Sequence, residues 1–259
     1  MNIFKIFQDI ETIDPEMYDR LNSRRGLFKK ASNLGLKLSA AAVPFILGGV
    51  LNEARGENKD AITDTLNFAL TLEYLESEFY NLSVTNGTTA KGNNKTTFDQ
   101  IAKHEMDHVT LLKSVLKSSA VSKPTFDFTA KGKFNPTDYP TFLVLSQAFE
   151  DTGVRAYKGQ APNLLGTDTL TVALQIHSVE ARHAAMVRKI RMQSSWITGN
   201  NSSDAANPII GSSYAGEDNI TQAGINVTTL GYSAAVATEA FDEYLTKDQV
   251  FAIAGQFIV

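Results

Sequence analysis

Apolar residues recur three and four positions apart through four stretches of this chain, and each stretch predicts an amphipathic helix. The first, over residues 58–82, carries the stripe Ile62, Leu66, Ala69, Glu73, Glu76 and Tyr80, which sets two acids among core positions. The second, over 96–119, carries Phe98, Ile101, Glu105, His108, Leu112 and Val115. A third, over 137–158, aligns Leu143, Ser146, Glu150, Val154 and Tyr157, and a fourth, over 167–192, aligns Ala173, Ile176, Glu180, His183, Val187 and Ile190. The Thr-, Asn- and Gly-rich segment 84–95 and the loop 160–166 are short, which predicts two antiparallel helix hairpins. Between them, 120–138 holds Pro124, Gly132, Pro136, Phe126 and Phe128, is too irregular for a helix, and reads as a long crossover. The remainder, 193–259, starts in a Ser-, Asn-, Gly- and Ala-rich stretch around Trp196 and ends in two short apolar patterns, 232–245 and 248–259. The pattern therefore predicts an all-α chain, a four-helix bundle over 58–192 with one long crossover connection, and a C-terminal extension that wraps it.

An acid on an apolar stripe needs a partner, because burying an unpaired charge is costly. Here the acids follow a repeated plan. Glu73 is followed about thirty residues later by Glu105-x-x-His108, and Glu150 about thirty residues later by Glu180-x-x-His183. Residues three apart share one helix face, so each Glu-x-x-His offers two ligands side by side. Two lone glutamates plus two such pairs give the donor count of a two-metal carboxylate site built inside a four-helix bundle. A single Glu-x-x-His more often marks a solvated helix face. Against that reading, the motif occurs twice, a tyrosine follows each lone glutamate by seven positions (Tyr80 and Tyr157), and two of the chain's four histidines complete the pairs. Glu76 lies one turn after Glu73 and competes with it as a ligand. The matching tyrosine offset favours Glu73, leaving Glu76 as a nearby acid or an extra ligand. Tyr80 and Tyr157 either hydrogen-bond to ligands or donate electrons.

Composition narrows the chemistry. The 259 residues are 43% hydrophobic, which supports a packed core, and the net charge of −4 with no basic stripe gives no attraction to nucleic acid. The chain has no cysteine, so thiol catalysis, iron–sulfur clusters and cysteine-ligated zinc are excluded. Oxygen-rich donors suit Fe(II) or Mn(II) better than copper. A rival reading uses His104-Glu105-Met106-Asp107-His108, which spells the His-Glu-x-x-His of zinc metalloproteases. It lacks an acid for a third ligand on a following helix and leaves the second Glu-x-x-His unexplained. The first residues differ from the rest: Ser23-Arg24-Arg25-Gly26-Leu27-Phe28-Lys29 leads into an apolar run over 34–51. Segment 1–52 therefore resembles a twin-arginine export signal, which implies an exported protein of the periplasm or cell envelope and contact with the export machinery or membrane through this leader. The alternative is a basic amphipathic helix packed on the bundle. The sequence carries no signature of an oligomeric state.

Four segments carry a family resemblance: Leu66-Asn67-Phe68-Ala69-Leu70-Thr71-Leu72-Glu73-Tyr74-Leu75-Glu76, His104-Glu105-Met106-Asp107-His108, Phe149-Glu150-Asp151-Thr152-Gly153-Val154-Arg155-Ala156-Tyr157 and Val179-Glu180-Ala181-Arg182-His183. Together they resemble the ferritin-like superfamily, and within it exported bacterial proteins related to desiccation-related proteins of plants; Glu239-Ala240-Phe241-Asp242-Glu243 is similar to that family's tail. The resemblance implies two divalent metal ions, iron or manganese, with Glu105 and Glu180 bridging, Glu73 and Glu150 as terminal ligands, and His108 and His183 completing one metal each. It also implies dioxygen or hydrogen peroxide as the reacting partner, in ferroxidase, peroxidase or catalase-like chemistry. The alternative it leaves open is a structural or protective stress protein with a vestigial metal site.

Overall fold

The computed structural model describes residues 59–200 and 208–259, so segment 1–52, with the export signal it resembles and the packed helix that is the alternative, lies outside the described residues. Four long helices dominate: α1 (Lys59–Thr85), α2 (Lys95–Leu116), α3 (Tyr139–Gln160) and α4 (Asp168–Ile190). They form the all-α bundle, with α1 packed along α2 and α3 along α4. Among the described residues no helix is long and apolar enough to cross a membrane.

The helix ends depart from the predicted ones by up to three residues, for local reasons. The second helix stops at Leu116 rather than 119, because Lys117 turns to a positive φ of 52° and the chain tightens into a short 3₁₀ segment, Lys117–Ser119. The third starts two residues late, where the Asp138 side chain accepts from the Thr141 backbone N–H and Pro140 occupies the first turn, a strong start signal. The fourth gives way after Ile190, and Met192 at φ 58° turns the chain out of the bundle.

The crossover from 120 to 138 is ordered by its own polar groups and by the C-terminus. Both Asp127 carboxylate oxygens accept backbone N–H groups, from Thr129 and Lys131. The last residues run back beside it: Asp127 N–H donates to Phe257 O at 2.8 Å and Val259 N–H to Thr125 O at 2.9 Å. Phe257 thereby enters the bundle core and meets Phe149 edge-on at 5.0 Å. Phe149 in turn meets Phe79 edge-on, and Phe79 stacks on Phe142 at 5.3 Å. This aromatic core fills one end of the bundle; Ile62, Leu66, Leu70, Leu112, Val115, Leu164 and Ile176 fill the other.

The extension adds α5 (Pro208–Ser212), a two-stranded hairpin of β1 (Thr221–Gln222) and β2 (Ile225–Asn226), α6 (Ala234–Glu239) and α7 (Lys247–Ala254). Helix α7 opens on a complete capping box, Thr246 with Gln249, and buries Val250 and Ile253 against the bundle. The apolar pattern before it is different. Tyr232, Val236, Phe241 and Tyr244 are exposed, and only Ala237 and Leu245 of its apolar positions are buried. Arg155 of α3 ties this extension down. Its buried guanidinium donates to the carbonyls of Ser213, Ala215 and Glu243 and pairs with the Glu217 carboxylate at 2.8 Å.

Candidate metal centre

Halfway along the bundle the four helices bring Glu73, Glu105, His108, Glu150, Glu180 and His183 into one buried cluster. Their donor atoms fall into two overlapping sets. Glu73, Glu105, His108 and Glu180 offer atoms all within 4.8 Å of one another, and Glu105, Glu150, Glu180 and His183 do the same. Glu105 and Glu180 belong to both sets. His104, the other member of the His-Glu-x-x-His pattern, belongs to neither.

Each histidine turns Nδ1 inward. His108 Nδ1 lies 3.0 Å from Glu180 Oε1, 3.2 Å from Glu73 Oε2 and 3.3 Å from Glu105 Oε2. His183 Nδ1 lies 2.9 Å from Glu105 Oε1 and 3.3 Å from oxygens of Glu150 and Glu180. None of these contacts of His183 Nδ1 has hydrogen-bond geometry, and buried oxygens of Glu105, Glu150 and Glu180 are left without hydrogen-bond donors. Buried polar atoms are nearly always satisfied. Here they converge on common points at ligand-like separations, which is what a cation requires and a hydrogen-bond network does not.

Without a cation the cluster is held by protons. Burial opposes a charge on His183, but the carboxylates around it, Glu150 foremost, outweigh burial and push its pKa up to about 12. His108 is raised in the same way by Glu105, Glu180 and Glu73. Burial would raise Glu180, yet its contacts with both histidines pull it down to about 2, while burial lifts Glu150 to about 7 and also raises Glu105. These protons sit on atoms that metal ions need, so ions would have to displace them.

The two tyrosines hold the lone glutamates crosswise. Tyr80 of α1 donates to Glu150 Oε1 of α3 at 2.6 Å, and Tyr157 of α3 donates to Glu73 Oε1 of α1 at 2.5 Å. Burial and the adjacent carboxylate keep both phenols protonated, as donors. Tyr80→Phe and Tyr157→Phe should each cost the metal-free protein about 1.5–3 kcal/mol, the scale of a hydrogen bond to a charged group. Urea unfolding of both variants checks this, and a cost for one but not the other would contradict the equivalence of the two contacts.

Three features escaped sequence reasoning or were only half seen. His104 Nδ1 meets His183 Nε2 at 2.9 Å, with the rings stacked at 5.2 Å, so His104 buttresses a ligand-type histidine instead of sharing an ion with His108. Behind α3, Asp151 pairs with Arg188 at 2.6 Å and accepts from the Tyr214 hydroxyl, a buried network with no spacing signature. The third is access. An open pocket of about 580 Å³ between α2 and α4, walled by Ile101, Val179 and Met186, reaches His108 and His183. On another side lies an almost wholly apolar cavity lined by Leu66, Ala69, Leu112, Tyr157, Ala173 and Ile176.

A search of curated proteins finds no match to this chain. The family profile of a ferritin-like domain matches residues 61–193, the span of the four helices and their donor cluster. The chain belongs to the ferritin-like domain family.

Proposed function

We propose that this protein is a dinuclear iron or manganese carboxylate protein that reacts with dioxygen or hydrogen peroxide. The observation that carries the reading is the pair of overlapping donor sets sharing Glu105 and Glu180, with buried carboxylate oxygens that no donor satisfies. Four carboxylates balance two divalent ions, and the donors are oxygen with imidazole nitrogen, a set suited to iron or manganese. Such a pair, when bound, supplies two electrons to an oxygen substrate.

The chain's own part is positioning and exclusion. Glu105 and Glu180 would each reach two ions; Glu73 with His108, and Glu150 with His183, would serve one each. Tyr157 and Tyr80 fix the lone glutamates, and His104 fixes the ring of His183. The aromatic packing of Phe79, Phe98 and Phe142 beside Tyr80 keeps bulk water from that end of the centre. The apolar cavity that Tyr157 helps to line suits an uncharged small oxidant better than an ion. The protective, metal-free alternative has to bear four buried carboxylates with only the protonated His108 and His183 as cations to face them.

Metal content by mass spectrometry after anaerobic loading with Fe(II) or Mn(II) tests the reading. About two ions per chain are expected from the fold's donor count, followed by consumption of dioxygen or peroxide. A single zinc lost in His104→Ala would support the protease reading, and no metal under any condition would leave the protective one.

A further inference from the structure

Beside the centre, the two halves of the bundle differ three residues after each lone glutamate. The first half spells Glu73-x-x-Glu76-x-x-x-Tyr80 and the second Glu150-x-x-Gly153-x-x-x-Tyr157, so Gly153 stands where the repeat would place a partner for Glu76. Glu76 is buried, at 3% exposure, and no hydrogen bond or ion pair holds it among the described residues. Its carboxylate crosses the α1/α3 seam into the space that Gly153 leaves open. A Cβ at residue 153 would lie 3.1 Å from Glu76 Oε1 and 3.9 Å from Cγ of Glu180. Glu76 thus stands against one of the two shared glutamates, at the α1/α3 seam, while His108 and His183 face the pocket between α2 and α4. It belongs to neither close-packed donor set.

We propose that Glu76 is a seventh donor to the dinuclear centre, and that residue 153 is glycine because a side chain there would close the path of this carboxylate to the ions. The proposal rests on the metal-binding reading above. A buried carboxylate without hydrogen-bond donors must take up a proton or face a cation, and the nearest place for a cation is the cluster it abuts. The consequence is an asymmetric centre. Six donors follow the repeat, and the seventh comes from the first half alone.

Anaerobic calorimetric titration with Mn(II) tests this on the wild type, Glu76→Gln, Glu76→Ala and Gly153→Ala, alongside thermal unfolding of each with and without metal. Glu76→Ala is expected to keep binding two ions but with at least one held about ten- to a hundredfold more weakly, the range seen when support for a metal ligand is removed. Glu76→Gln should lie between it and the wild type. Gly153→Ala should weaken binding in the same direction by a smaller factor, since the new methyl presses on the same oxygen. Metal-free Glu76→Ala should unfold no lower than the wild type, because it relieves crowding among five carboxylates. Unchanged affinity in Glu76→Ala overturns the proposal, and so does a loss of stability in the metal-free variant, which would make Glu76 a packing residue. If the wild type itself binds neither Mn(II) nor Fe(II), the metal-binding reading has failed instead.

Discussion

Alanine in place of Glu180 should strip the protein of both metal ions, not one. Glu180 offers oxygens to both donor sets, and its two carboxylate oxygens face His108 and His183 respectively. Glu105 has the same double membership, so Glu105→Ala should behave alike. Glu73→Ala and Glu150→Ala each remove a donor from one set and should weaken one ion far more than the other. The effect is large because a ligand present at a hundred to a thousand times its Kd stabilises a fold by about 2.7–4.1 kcal/mol, all of which the variant forfeits. Thermal unfolding with and without Mn(II), together with metal content, measures it. Two ions retained in Glu180→Ala would sink the shared-ligand assignment.

The second large effect is expected far from the donor cluster. Arg155→Met should destabilise the protein by about 3–5 kcal/mol, the cost of breaking a buried ion pair by removing one partner. Three carbonyls, of Ser213, Ala215 and Glu243, lose a donor at once, and Glu217 loses its cation. Burial already pushes Glu217 up to about 7 with Arg155 beside it. Lysine cannot replace the guanidinium, since a single ammonium does not span four acceptors arranged around a planar fork. Adding Glu217→Gln should recover part of the loss. The damage should also reach the centre, because Arg155 anchors the helix that carries Glu150 and Tyr157. Urea unfolding decides it: a loss below about 1 kcal/mol, the scale of an exposed pair, would mean the clamp is not holding the extension.

The four helices and the donor stripe were legible because both obey the 3.6-residue period, so a carboxylate interrupting an apolar stripe is visible without a structure. Helix ends were less so. Asp138 capping α3 and the positive φ of Lys117 are local events that periodicity does not report. The tyrosine offset placed Tyr80 and Tyr157 on the faces of Glu73 and Glu150, but each serves the glutamate of the other helix, and that exchange depends on how α1 packs against α3. Gly153 reads as a helix-weakening glycine until the position of Glu76 is known. The Arg155 clamp was invisible for a different reason: its acceptors are mostly backbone carbonyls in an aperiodic segment, and every residue type carries one of those.

The crossed tyrosine contacts give the chain a particular division of labour. Each hairpin contributes a lone glutamate, a Glu-x-x-His pair and a tyrosine, yet its tyrosine aims the other hairpin's glutamate, and each donor set borrows one carboxylate from across the seam. Neither hairpin alone owns a finished site. The molecule is in effect a dimer of hairpins made permanent by a covalent tether, and the crossover is that tether. Duplicating a hairpin and joining the copies would have produced this symmetric plan, while a single chain leaves each copy free to change independently. The glycine opposite Glu76 and the valine that stands where the first half has His104 are differences of that kind.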